Sequence, residues 1–145
     1  MTLERLNRHL EMRKNLQRTR EMLATLESRA MPGAQVLTGM PHAPGVSDKV
    51  GNLAVELADA SREVERLAAA VADDERDIVE YIEAIGDIQT RTAFRLHFIR
   101  TLTWAEVAEI FGGYATENTM RQLCYRYLKK AETNKIERGE QKNDS

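Results

Sequence analysis

Apolar residues recur along this chain at one interval above all others. Val50, Leu57, Val64, Val71, Ile78 and Ile85 stand seven apart, and Leu53, Ala60, Leu67, Asp74 and Tyr81 interleave at the complementary position. A repeat averaging 3.5 residues is the seam of a coiled-coil-like helix. It predicts one long helix over 48–85, with Ser47 as its N-cap. β-Branched residues at most of the a positions suit two-stranded pairing. Asp74 is the one charged residue in the d series. Inside the acidic run 73–77 it reads as local exposure or a helix shift, not as a buried group that sets register.

Residues 2–29 contain no Gly or Pro and predict a first helix. Leu3, Leu6 and Leu10 start a stripe that breaks phase and resumes at Leu16, Leu23, Leu26 and Ala30. Such a break marks a change of winding or of packing partner. Residues 31–47 hold all three prolines and no charged side chain, which reads as a long loop that packs in part on the helices. Through that loop the two helices are expected to fold back as an antiparallel hairpin. The first helix is the shorter, so the seam over 71–85 is left in excess, and this excess motivates a homodimer through the long helix.

After Gly86 and Asp87 the pattern changes. A third helix is expected over 88–101, with Ile88, Phe94, Phe98 and Ile99 on its apolar side and Arg91, Arg95 and Arg100 on or near the other. Thr103 and Glu106 have the spacing of a capping box. Val107, Ala108 and Phe111 then share a face, with Trp104 at its start, and Gly112 and Gly113 end the helix. Thr116 is placed to cap the next helix. Its apolar side is Met120, Leu123, Cys124, Tyr127 and Leu128, and its polar side is Glu117, Asn118, Arg121, Gln122, Tyr125, Arg126 and Lys129. Two helices about a tight glycine turn, behind a supporting helix, are the grammar of a helix-turn-helix. The expected fold is therefore all-α: a hairpin arm over 1–86, a trihelical helix-turn-helix unit over 87–131, and a flexible polar tail over 132–145.

Charge sharpens this division. The chain of 145 residues has a formal net charge of −2, which alone argues against a general nucleic-acid binder. Its distribution says more: residues 1–30 carry +3, 48–87 carry −8 and 88–131 carry +4. The positive charge sits with the helix-turn-helix pattern, and the acidic helix would be repelled by a duplex. No stretch reaches the roughly 20 apolar residues of a membrane span, and the N-terminus lacks the apolar core of a secretion signal. The lone Cys124 suits a reducing cytosol and reads as a small buried hydrophobe. The expected location is the bacterial cytoplasm, at the nucleoid when bound. His9, His42 and His97 are scattered, so no zinc site is expected. No P-loop, dinucleotide glycine pattern or nucleophile elbow is present, so neither enzymatic activity nor a cofactor is expected.

The candidate chemistry lies on the last helix, at Thr116, Glu117, Asn118, Thr119, Arg121, Gln122, Tyr125, Arg126 and Lys129. Arginine matches guanine edges and Gln or Asn matches adenine. Arg121 and Gln122 are thus the first base-reading candidates, against a competing reading as a solvated helix face. Asn118 and Thr119 lie in the first turn, where they either enter the major groove or cap the backbone. Arg126, Lys129 and Lys130 suit phosphates or plain solubility. Tyr125 suits stacking, a phosphate contact or cover for the core.

Residues 118–130 resemble the recognition helix of bacterial sigma-70 factors, region 4. The match is Arg121 and Gln122, an apolar Leu123, and Leu128 followed by two basic residues. Thr103, Glu106, Val107 and Phe111 resemble the preceding helix of that module. With Leu37, Thr38, Gly39, Met40 and Pro41, then Gly45, Ser47 and Asp48, the chain resembles phage and prophage late transcriptional regulators of the ArpU type. The resemblance implies control of viral or prophage transcription through duplex DNA, with host RNA polymerase as a candidate partner. Two departures bear on it. Glu117 stands where sigma factors often have a basic residue, and the turn from Gly112 to Ala115, with Tyr114 in it, is longer than in typical sigma factors. Two other functions fit the same pattern: a small terminase-like DNA-packaging subunit, and a helical interaction module that binds no DNA.

Overall fold

The structure, a computed structural model, describes residues 1–30 and 52–143. Among the described residues every regular element is helical, so the chain is all-α. The elements are α1 (Leu3–Ala30), α2 (Ala54–Glu83), α3 (Ile88–Phe94), a π-helical segment (Arg95–Ile99), α4 (Trp104–Phe111) and α5 (Glu117–Asn143). No helix among the described residues is long and apolar enough to cross a membrane.

Several boundaries differ from the sequence pattern. Helix α2 begins at Ala54, so Asn52 and Leu53 precede it, while Ser47, Val50 and the loop 31–47 lie outside the described residues. The helix expected over 88–101 changes to π geometry after Phe94 and stops at Ile99. Helix α5 does not stop near Lys130 but continues to Asn143. Residues 131–138 include Ala131, Glu132, Lys135, Glu137 and Arg138, all good helix formers that need no core to favour a helix. Polarity and a single Gly139 were too weak a signal for a frayed tail.

The chain divides into two units, one of Met1–Glu11 with the chain from Ala72 onward, the other Met12–Val71. The first has the larger core. Leu6 and Leu10 of α1 meet Ile78 and Ile82 of α2, Ile85, Ala93, Phe94, Phe98, Val107, Ala108 and the inner side of α5 at Met120, Cys124 and Leu128. Phe94 is fully buried and touches three rings, with centroids 6.2 Å from Tyr81, 5.7 Å from Tyr127 and 5.7 Å from Phe98. Burying such a side chain contributes about 1.5–3 kcal/mol, and each ring pair adds about 0.5–1.5 kcal/mol. In the second unit Leu16, Leu67 and Val71 are buried, with Met12, Val64 and Ala68 packed against them.

Two expectations about the long seam are corrected here. The seam over 71–85 is not in excess: Val71, Ile78 and Ile85 are 5, 0 and 0% exposed in the single chain. Pattern counting offered α1 as the only internal cover, whereas Ile78, Ile82 and Ile85 are also covered by α3 and the π segment. The reason for a homodimer through α2 is thereby removed. Asp74, in turn, is neither shifted nor freely exposed. Arg5 Nη1 lies 2.7 Å from Asp74 Oδ1, Arg5 Nη2 donates to the Asp74 carbonyl at 3.2 Å, and His9 Nδ1 donates to Oδ2 at 2.8 Å. His9 is wholly buried. Burial pushes the Asp74 carboxyl up, but hydrogen bonds from Arg5 and His9, helped by their charge, outweigh it and hold the carboxyl below its ordinary range. Ile88, expected on an apolar side, is 65% exposed.

Candidate nucleic-acid interface

The candidate interface depends on how α4 and α5 are set, and that begins at Asp87. Its carboxylate accepts hydrogen bonds from Thr90 N at 3.0 Å and Thr90 Oγ1 at 2.6 Å, capping α3. Those two bonds hold the Asp87 carboxyl below its usual range. After Phe94 the helix widens, and Arg100 N donates to Arg95 O, five residues back, at 3.0 Å. Thr101 follows at φ 59, a left-handed backbone uncommon for a β-branched residue. His97 secures this exit: its Nδ1 donates to the Leu102 carbonyl at 2.7 Å, and its ring stacks on Trp104 at 3.7 Å and 17°.

Trp104 opens α4, and Thr103 caps it. Thr103 Oγ1 accepts from Glu106 N, and Glu106 Oε1 accepts from Thr103 N, each at 3.2 Å, so the capping box forms as the spacing predicts. The helix ends at Gly112 and Gly113, at φ 68 and 60. These angles are ordinary for glycine and strained for any other residue. Ala115 N donates back to Gly112 O at 3.1 Å and closes the turn.

Helix α5 starts from a reciprocal threonine cap. Thr116 Oγ1 accepts from Thr119 N at 3.1 Å, and Thr119 Oγ1 accepts from Thr116 N at 2.8 Å. The Thr119 hydroxyl also donates to Thr116 O at 3.0 Å, which commits it to the cap. Beyond the cap the helix splits as its pattern requires. Met120, Cys124 and Leu128 are buried against α4 and the core. Burial pushes the Cys124 thiol up to about 12, so it stays neutral at physiological pH. Opposite them Glu117, Asn118, Gln122, Tyr125, Arg126 and Lys129 are exposed and Arg121 is half-buried.

The polar side is partly organised. Arg121 Nη2 donates to Asn118 Oδ1 at 3.1 Å, and Arg126 Nη2 donates to Gln122 Oε1 at 3.1 Å. Each guanidinium has five donors, so most remain available to an outside acceptor. The Tyr125 ring meets the edge of Trp104 at 6.4 Å, which links the outer side of α5 to the start of α4. Thr116, as the cap, and Glu117, Asn118, Thr119, Arg121, Gln122, Tyr125, Arg126 and Lys129, within α5, thus lie on one stretch of chain. Tyr114, in the turn, is fully exposed and covers nothing.

Sequence reasoning missed the π segment and the left-handed Thr101, for which no local residue pattern gives warning. The Gln122–Arg126 bond was legible, because residues four apart on a helix are neighbours. Among the described residues no group of three or more His, Cys, Asp or Glu could hold a metal ion. No protein-family model, no curated protein and no solved structure matches this chain.

Proposed function

We propose that this chain is a sequence-specific DNA-binding regulator of phage or prophage transcription, with α4 and α5 as its helix-turn-helix and residues 117–130 entering the major groove. One observation carries this. On the polar side of α5 Glu117, Asn118, Gln122, Tyr125, Arg126 and Lys129 are exposed and Arg121 is half-buried, while the same helix is anchored by a buried seam to α4 and the core. A rigid helix with one free face of arginine, amide and lysine groups is what major-groove reading requires. The sigma-like run at 118–130 and the ArpU-like order of the chain support the viral setting and make host RNA polymerase a candidate partner. Helices α1 and α2 act in this proposal as a helical hairpin arm.

The chemistry follows from the bonds on the helix. Asn118 holds Arg121, which presents its remaining N–H groups to guanine O6 and N7. Gln122 reads adenine once Arg126 releases its oxygen and turns to a phosphate, joined there by Lys129. Glu117 accepts and cannot donate, so it favours a cytosine amine and disfavours the bases preferred by a basic residue at that place.

Capture of genomic fragments by the purified chain tests the proposal, followed by Arg121→Ala and Gln122→Ala on the best site. Losses of about 1–3 kcal/mol confined to defined base pairs are expected. Binding that is uniform across sequences and vanishes with modest salt would show backbone contact alone and overturn it.

A further inference from the structure

The π segment does something besides ending a helix. In an α-helix, residues three and four apart are stacked neighbours. In a π turn the hydrogen bond spans five, as it does here between Arg100 N and Arg95 O at 3.0 Å. The turn therefore brings Arg95 and Arg100 nearer to one side of the chain than an α-helix would, and both line the same cleft. Both are exposed and both line a cleft of about 200 Å³ with Glu83 and the apolar side chains of Val79, Ile82 and Ile99. Among the described residues no carboxylate lies within ion-pair distance of either guanidinium.

Two exposed like charges on one cleft repel weakly in water, and an anion between them turns that repulsion into attraction. Guanidinium forks match the oxygens of carboxylates and phosphates. Glu83 also lines the cleft, and one carboxylate against two guanidiniums leaves it net positive. The apolar floor adds a second demand, for a hydrocarbon part next to the anionic head. His97, which stacks on Trp104 and so leads towards Tyr125 and the outer side of α5, is not among the residues that line this cleft.

We propose that the cleft between the end of α2 and the π segment is a binding site for a small organic oxyanion, a phosphate ester or carboxylate on an apolar stem, clamped by Arg95 and Arg100. This site is independent of what α5 reads.

The test is a proton–nitrogen NMR titration of the full chain with inorganic phosphate, phenyl phosphate and benzoate. Saturable shifts confined to residues 79–83 and 95–100 are expected, with an aromatic anion binding at least threefold more tightly than inorganic phosphate. Arg95→Gln and Arg100→Gln should each weaken that binding about tenfold or more, while the ligand-free melting temperature holds or rises as the repulsion is relieved. Shifts spread over all the basic residues, or no saturation at tens of millimolar, would overturn the proposal. So would binding that both folded variants retain. Arg91→Gln, a neighbour outside the cleft, is the control expected to bind as the parent does.

Discussion

Replacing Asp74 by Asn isolates the charge in the contact between α1 and α2. The side chains are nearly the same size, so packing is kept and the anion is lost. Two donors then face an amide: Arg5 Nη1, of a guanidinium only 23% exposed, at 2.7 Å from Oδ1, and His9 Nδ1 at 2.8 Å from Oδ2. One of the two amide positions is itself a donor, so it either opposes an Arg5 N–H or moves the His9 proton to Nε2, which is buried with no acceptor among the described residues. Removing one partner of a fully buried ion pair costs about 3–5 kcal/mol. Asp74 is 19% exposed, which allows water to relieve part of this, so the expected loss is about 2 kcal/mol at pH 7. In a chain of this length that lowers the melting temperature by about 4–8 °C. Urea unfolding followed by circular dichroism measures it, with Asp73→Asn as the comparison. Asp73 sits 3.6 Å from Arg76 with both side chains mostly exposed, and its replacement should leave the midpoint where it was. The pH dependence has a fixed sign. The folded carboxyl of Asp74 is held below its ordinary range, so its contribution is fully present above the unfolded value of about 3.9. It is lost as pH falls through the folded value. The gap between parent and variant should therefore close below about pH 4. Equal midpoints for Asp74→Asn and the parent at pH 7 would refute the reasoning. So would a gap as wide at pH 3 as at pH 7, which would assign the loss to shape and not to charge.

Thr101→Gly should stabilise the chain by about 0.5–1 kcal/mol, since φ 59 costs a β-branched residue more than glycine loses in unfolded-state entropy; a thermal melt reads this. Gly112→Ala should destabilise by about 1 kcal/mol even though nothing lies within 4 Å of the added Cβ, because the penalty at φ 68 is in the backbone and not in contacts. Buried Cys124, with its thiol pushed up to about 12, stays protonated while the unfolded thiol ionises near 8.5. Its contribution to stability is therefore fully present below that unfolded value and is lost as pH rises towards the folded one. Urea midpoints of the parent should fall more steeply than those of Cys124→Ala between about pH 9 and 11. Thr116→Ala should cost about 1 kcal/mol through loss of the α5 cap, measurable in the same unfolding assay.

The parts of this molecule that were legible in its sequence are those governed by neighbours along the chain. The capping box at Thr103 and Glu106, the glycine stop at Gly112 and the threonine cap at Thr116 each depend on groups within four residues, and each forms as its spacing predicts. The division of α5 into a buried seam and an exposed side follows from helical periodicity in the same way. What the pattern could not give was the identity of partners from elsewhere in the chain. Asp74 looked like a flaw in the seam because a heptad assigns polarity without saying what stands opposite. The missing facts were Arg5 and His9, which lie more than sixty residues away and whose own stripe is leucine-based. The π segment was hidden for a related reason. Arg95, Leu96, His97, Phe98 and Ile99 include no Gly or Pro that would warn of a break in an α-helix. What secures the exit from the wider turn is tertiary: the His97 ring lying on Trp104 and bonded to the Leu102 carbonyl, beside a Phe98 fully buried in the core. The aromatic packing that positions α4 against α5 is thus inseparable from the wider turn that leaves Arg95 and Arg100 together over an apolar floor. A chain that needed only to stack three helices could do so with a regular helix over 88–101. Arg95 and Arg100, without an ion-pair partner among the described residues, and the left-handed Thr101 are therefore the features of this fold that ask for a function beyond folding.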